Sequence, residues 1–165
     1  SAAQAANVAT TGTMDLSAYI NVPTGQAIAI ESVDFIIQGA DPFGQVYTGM
    51  LAGNGAISFQ LTDLNPGTAL VQANSQTLVA SGALNIDSIN NVGSEVADFY
   101  PDNFGPSALS EAFLVVNDTL YVTGMTGGAA GGGVDLLVTA RVRCRVVKLS
   151  TKDWMAIAIQ STAEA

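Results

Sequence analysis

The chain is expected to fold as an all-β protein, an antiparallel sandwich or barrel of about eight strands with a short C-terminal helix. Three observations point there. First, from Val134 to Val147 the residues alternate strictly: Leu136, Val138, Ala140, Val142, Cys144 and Val146 on one face, Leu137, Thr139, Arg141, Arg143 and Arg145 on the other. A period of two is the signature of a half-buried strand. Second, short apolar runs recur between Gly, Pro and Asn turn signals along the whole chain. Third, only one convincing helix start is present, Ser150-Thr151-Lys152-Asp153, with the form of a capping box.

Taken in order, residues 1–12 (SAAQAANVATTG) are small, uncharged and aperiodic, and are expected to form an N-terminal arm. Met14, Leu16, Ala18 and Ile20 alternate as a first strand, closed by the turn Pro23-Thr24-Gly25. Ala27 to Gln38 reads as a longer second strand, and Val46 to Leu51 as a third. Asn54-Gly55 signals a tight hairpin requiring positive φ. Ile57, Phe59 and Leu61 then alternate in a fourth strand that ends at Asn65-Pro66-Gly67. Residues 68–74 have the makings of a short helical turn, and Gln76 to Asn85 a fifth strand.

Residues 86–110 are polar and turn-rich and read as one long excursion, a length that is uncommon in a compact domain unless it serves a purpose. Ala112 to Val116 and Thr119 to Gly124 are two short strands around Asn117-Asp118. The Gly-rich run 124–133 is expected to be a flexible loop at one end of the sandwich. The strand from Val134 follows; at about 3.3 Å per residue it would be roughly 45 Å long, and its length suggests a central position. In the helix, about 151–160, Trp154, Ile157 and Ala158 have the spacing of a packing face. Residues 13–165 thus form one β-sandwich domain after the arm, with Val142, Cys144 and Val146 in its core.

Composition narrows the function. Charged residues make up only 12%, about half the usual share, so the surface must be covered by Thr, Ser, Asn, Gln and Gly or by neighbouring subunits. No run approaches a membrane-spanning helix, and no basic segment opens the chain as in a signal peptide. The chain starts at Ser1 rather than Met, which suggests N-terminal processing or truncation. Net charge is −9, which disfavours general binding to nucleic acid. Histidine is absent and Cys144 is the sole cysteine. The commonest general base is therefore missing and no intrachain disulfide can form. No nucleophile motif or carboxylate pair stands out, so no catalytic residue, cofactor or metal ligand is assigned and the chain is not expected to be an enzyme.

Other motifs carry blander readings. The loop 124–133 lacks the Gly-Lys-Ser/Thr ending of a phosphate cradle and leads into a strand. Asn117-Asp118-Thr119 fits a glycosylation tripeptide but sits in a tight turn. Asp98, Asp102 and Asn103 could supply oxygens to calcium, yet their spacing matches no EF-hand loop.

The informative constellation is basic. Arg141, Arg143, Arg145, Lys148 and Lys152 are all the cations of the chain, confined to one strand and the start of one helix. Like charges two residues apart on a strand repel. Carboxylates of an adjacent strand or subunit would compensate them, since arginine pairs carboxylates bidentately. An anionic layer, lipid headgroup or genome, is the alternative, weaker because the body of the chain is acidic.

An N-terminal arm, about eight strands, long loops and a single-domain length make the layout resemble the single jelly-roll capsid proteins of icosahedral viruses. The runs ISFQLTD and NDTLYVTG, and the closing strand VDLLVTARVRCRVVKL, look like strands of such a barrel. The resemblance covers nearly the whole chain and implies a jelly roll, a virion location, and a self-assembling coat subunit whose partners are copies of itself and other capsid proteins. An anionic inner layer, membrane or genome, would then face the basic stripe. One departure is that residues 1–12 carry no Lys or Arg, which argues against an arm that binds the genome. A secreted β-sandwich at the cell surface, a binding or filament-forming module, would share much of this composition.

Overall fold

In the computed structural model, residues 5–40, 47–97 and 112–163 are described. Backbone polar groups in a chain with one helix signal must find partners between strands, and the strands satisfy them in two antiparallel sheets. The elements are β1 (Ala9–Asp15), β2 (Gln26–Gly39), a single helical turn α1 (Tyr47–Met50), β3 (Gly55–Thr62), β4 (Leu78–Asp87) and β5 (Val92–Ala97). They continue with β6 (Phe113–Val115), β7 (Thr119–Gly127), β8 (Leu136–Lys148) and α2 (Thr151–Ala163). One sheet has the order β1-β7-β3-β4-β5, the other β6-β2-β8. The expected all-β sandwich with a C-terminal helix is what the chain forms.

The core lies between the sheets. Ile57, Phe59 and Leu61 of β3 meet Ile28, Ile30, Val33, Phe35 and Ile37 of β2 in one apolar cluster. The rings of Phe35 and Phe59 sit 4.7 Å apart and tilted by 49°, a separation at which aromatic pairs attract beyond simple burial. Each fully buried side chain of this kind contributes roughly 1.5–3 kcal/mol.

A β-bulge decides which residues of β2 face this core. The register to β8 shifts between Ile30 and Ser32, leaving Glu31 as the extra residue. Ile28 and Ile30 point inward before it; Val33, Phe35 and Ile37 point inward after it. Without the bulge, strict alternation would aim Asp34 at the core.

The reverse face of the first half of β2 has its own cover. Ala27 and Ala29 pack with Ala112, Leu114 and Val116 under Trp154 and Ile157 of α2. Ser150 caps this helix, its Oγ accepting from the Asp153 N–H at 3.2 Å, and Asp153 lies in the first turn, where the helix dipole favours it. Trp154 Nε1 donates to the Gln26 carbonyl at 3.4 Å. Gly25, at φ +70°, lies so close to the Leu149 carbonyl that a Cβ would collide with it. Its own carbonyl accepts from Leu149 N–H at 2.8 Å, fixing the entry to the helix.

The outer face of the five-stranded sheet carries a polar rung whose Gln60 and Thr123 are buried and whose Thr11 is exposed. Thr11, Thr123 and Gln60 are cross-strand neighbours on β1, β7 and β3. The hydroxyls of Thr11 and Thr123 are 3.1 Å apart. Gln60 Nε2 donates to the Val71 carbonyl at 2.7 Å and its Oε1 accepts from the Val71 N–H at 2.8 Å. One side chain thus behaves as a strand residue toward the loop covering it.

Several expectations are corrected. The first strand is Ala9–Asp15, beginning inside the stretch read as an arm, and residues 17–19 turn. Residues 47–50 form a helical turn, not a strand. Consecutive Met50 and Leu51 are both fully buried, which strand alternation would not allow. Asn54-Gly55 makes no hairpin: Gly55 opens β3 because its Cα packs against the Gly127 carbonyl with no room for a Cβ. The Gly-rich run is tied down, with Ala52, Gly132 and Val134 N–H groups donating to Ala130, Met50 and Gly49 carbonyls. Residues 68–74 contain turns and no helix. The stretch read as an excursion holds the end of β4 and all of β5. Its turn forms because the Asp87 carboxylate accepts from Ile89 and Asn90, while Asn91 takes φ 54°. The candidate calcium ligands Asp98, Asp102 and Asn103 lie outside the described residues.

Candidate functional site

β8 is an edge strand, not a central one: it bonds to β2 on one side, and no other strand pairs with it among the described residues. Its inward residues Leu136, Val138, Ala140 and Val142 pack partly against the core. The expected burial of Cys144 and Val146 is overturned. Cys144 is exposed and Val146 is 48% exposed, because an edge strand has no neighbour to shield its sides. The residue is exposed but its thiol is partly desolvated, and this, followed by the Glu31 carboxylate, holds Cys144 above its ordinary pKa, which lowers its thiolate fraction at neutral pH.

The regular alternation of β8 brings Arg141, Arg143 and Arg145 onto its outer face. Lys148 falls on the opposite face, and Lys152 stands exposed in the first turn of α2. The five cations are therefore a three-arginine ladder with two outlying lysines. The bulge residue Glu31 accepts from Arg145 Nε at 3.1 Å. Arg141 stands opposite Asp34 and Arg143 opposite Ser32, and neither is in an ion pair among the described residues. They border a shallow polar depression lined with Ser32, Asp34 and Val142. Two unpaired guanidiniums on an exposed strand present planar donor forks to any carboxylate or phosphate that arrives.

Beside this ladder lies a feature with no clear signal in the sequence. The three-stranded sheet is two strands narrower than the five-stranded one, and an open cleft of about 400 Å³ remains between β1, β7 and the first half of β8. Thr10, Gly12, Val122, Met125, Leu136 and Val138 line it. A Cβ added at Gly12 would meet nothing within 4 Å. Its β1 wall, Thr10 and Gly12, is small and shows no strong alternation, and its β8 wall is the alternating face that the sequence assigns to the core.

Compared with known proteins, the chain matches no family model, no curated protein and no solved structure. Among the described residues no group of three His, Cys, Asp or Glu side chains is placed to hold a metal, and no helix is long and apolar enough to cross a membrane.

Proposed function

We propose that this chain is a self-assembling structural subunit of the virion-coat type, its sandwich packed against copies of itself and against other shell proteins. The observation that carries the reading is the edge of β8, free among the described residues, where Arg141 and Arg143 likewise have no ion-pair partner on an otherwise acidic chain. A monomer leaves such an edge exposed to unwanted pairing, whereas a subunit uses it. In this reading the chain performs no reaction of its own, and a jelly-roll connectivity and virion location come with it. Purified protein examined by light scattering and electron microscopy tests it: closed particles or a fixed oligomer at low salt are expected, and a monomer at all concentrations refutes it. A secreted surface module is the second reading, favoured by the open cleft of about 400 Å³ between β1 and β8, a volume in the range of small-ligand sites. That module would remain monomeric or form linear filaments.

A further inference from the structure

Among the described residues the sandwich has four edge strands, β1, β5, β6 and β8; two of them, β5 and β8, differ in charge and in shape and fit each other. At one end, β8 has no strand on the side away from β2 among the described residues and presents two contrasting flanks. Its inner flank opens on the apolar cleft beside Leu136 and Val138; its outer flank carries Arg141 and Arg143. A strand added here must place apolar residues on one face and a carboxylate on the other.

At the other end, β5 is the last strand of the five-stranded sheet, bonded to β4 alone among the described residues. Glu95 stands opposite Leu84 on the face that continues the core, and Val92 stands opposite Asp87 on the other face. Val92 is 57% exposed, and Ile89 in the adjoining turn is 84% exposed. The strand therefore has an acid on one flank and an apolar side chain on the other, the pattern that the lane beside β8 calls for.

We propose that β5 of one copy adds to the free edge of β8 of a second copy, with Glu95 against Arg141 and Arg143 and Val92 turned toward the cleft. This deepens the self-assembly reading above and rests on it. The contact is head-to-tail, since the two surfaces differ, and a joined pair keeps one unused β5 and one unused β8. Repetition closes a ring or extends a filament according to the rotation per step. Pairing of β8 with β8 across a two-fold axis is disfavoured, because it sets the arginine ladders of both copies side by side. An anionic lipid or nucleic acid would satisfy the arginines and leave the apolar lane empty.

Charge exchange between two variants tests the pairing. Arg141→Glu with Arg143→Glu makes both ends acidic, and Glu95→Arg makes both ends basic. All three positions are exposed, so the sandwich should fold in each. Sedimentation velocity at low salt should show wild-type association, and association at least about tenfold weaker in either variant alone, because like charges face each other. An equimolar mixture should recover it, since each variant then meets its opposite. In a second arm, Val92→Cys combined with Val138→Cys at the cleft, in a Cys144→Ser background, should oxidise to cross-linked ladders longer than dimers, the linked peptides joining the two introduced thiols. Wild type that stays monomeric overturns the pairing and the assembly reading together. Wild type that associates while the mixture fails to recover, or links formed solely between two copies of the same introduced thiol, overturns the pairing alone. So does salt-sensitive binding of subunits to anionic vesicles or single-stranded DNA that disappears in the arginine variant while self-association persists.

Discussion

The docking of α2 is the most directly measurable feature of this fold, because Trp154 is the only tryptophan and half of the helix's anchor. Ile157, 5% exposed, is the other half. Removing it as Ile157→Ala leaves the fluorophore in place and takes three carbons from the small second core. Burial losses of this type cost about 2–5 kcal/mol. The surroundings here are mostly small, with Ala27, Ala29 and Ala112 among the seven buried members, so fewer contacts are forfeited and about 2 kcal/mol is expected. For a chain of this size that corresponds to a fall of roughly 4–8 °C in Tm. Urea titrations would be followed by Trp154 emission and by far-ultraviolet circular dichroism. The emission of the variant should shift to the red, with its transition at lower urea than the sheet signal, since the helix holds the outer face of β2 and not the main core. Unchanged emission with an unchanged midpoint would refute the assignment of Trp154 and Ile157 to a load-sharing contact.

Other outcomes follow from the same geometry. Gln60→Ala removes two hydrogen bonds to Val71 and should lower stability by about 1–3 kcal/mol in chemical denaturation, because the Val71 groups lose their partners. Phe35→Ala, at a position 3% exposed against Phe59, should cost about 3–5 kcal/mol; a soluble variant with wild-type melting would contradict the sheet packing. Arg141→Glu with Arg143→Glu should leave the unfolding free energy of the isolated subunit within about 1 kcal/mol of wild type in a urea titration, as exposed charges contribute little to folding. In acid, the hydrogen bonds of Asn90 to Asp87, and of the Ser17 backbone to Asp15, hold both carboxyls below the usual carboxylate range. A folded value below the unfolded one means a contribution that is complete above the unfolded carboxylate range and is lost as pH falls through the lower folded value. Asp87→Asn should therefore flatten the acid limb of a Tm–pH curve, and an unchanged limb would show that this turn does not contribute.

Much of the fold was legible because a few residues report it without ambiguity. The span of β2 is Gln26–Gly39 against an expected 27–38, and the Ser150 cap and the Trp154–Ile157 face appear as read. The bulge also had a visible sign, the change of parity between Ile30 and Val33, although it was not used. β1 escaped notice because Ala-Thr-Thr-Gly-Thr carries almost no apolar contrast: an edge strand facing an open cleft has little to bury. The edge position of β8 was illegible for another reason. Alternation tells which side chains share a face and nothing about which strand is the neighbour. Cys144 and Val146 were assigned to the core on alternation alone, and neighbours decide burial. The arginine ladder was found as a site, but its relation to the cleft depends on the width of two sheets, which no local pattern encodes.

The pairing of the first strands with the last ones has a consequence for how the protein is made. Thr11 meets Thr123 across 112 residues of chain and Glu31 meets Arg145 across 114. On a ribosome working from the N-terminus, β1 and β2 emerge early and have no β7 or β8 to bond. Apolar Ile28, Ile30, Phe35 and Ile37 must wait in the open for nearly the whole of synthesis, and closure of so long a loop is slow. The β3–β4 hairpin can form meanwhile, leaving the three-stranded sheet to be completed last. During that interval the waiting strand is the part of the molecule most exposed to pairing with a neighbouring nascent chain. Yield at high expression should thus be governed by the time until β8 appears, so that slowing translation after β2 would lower recovery of soluble protein and slowing it after β8 would not.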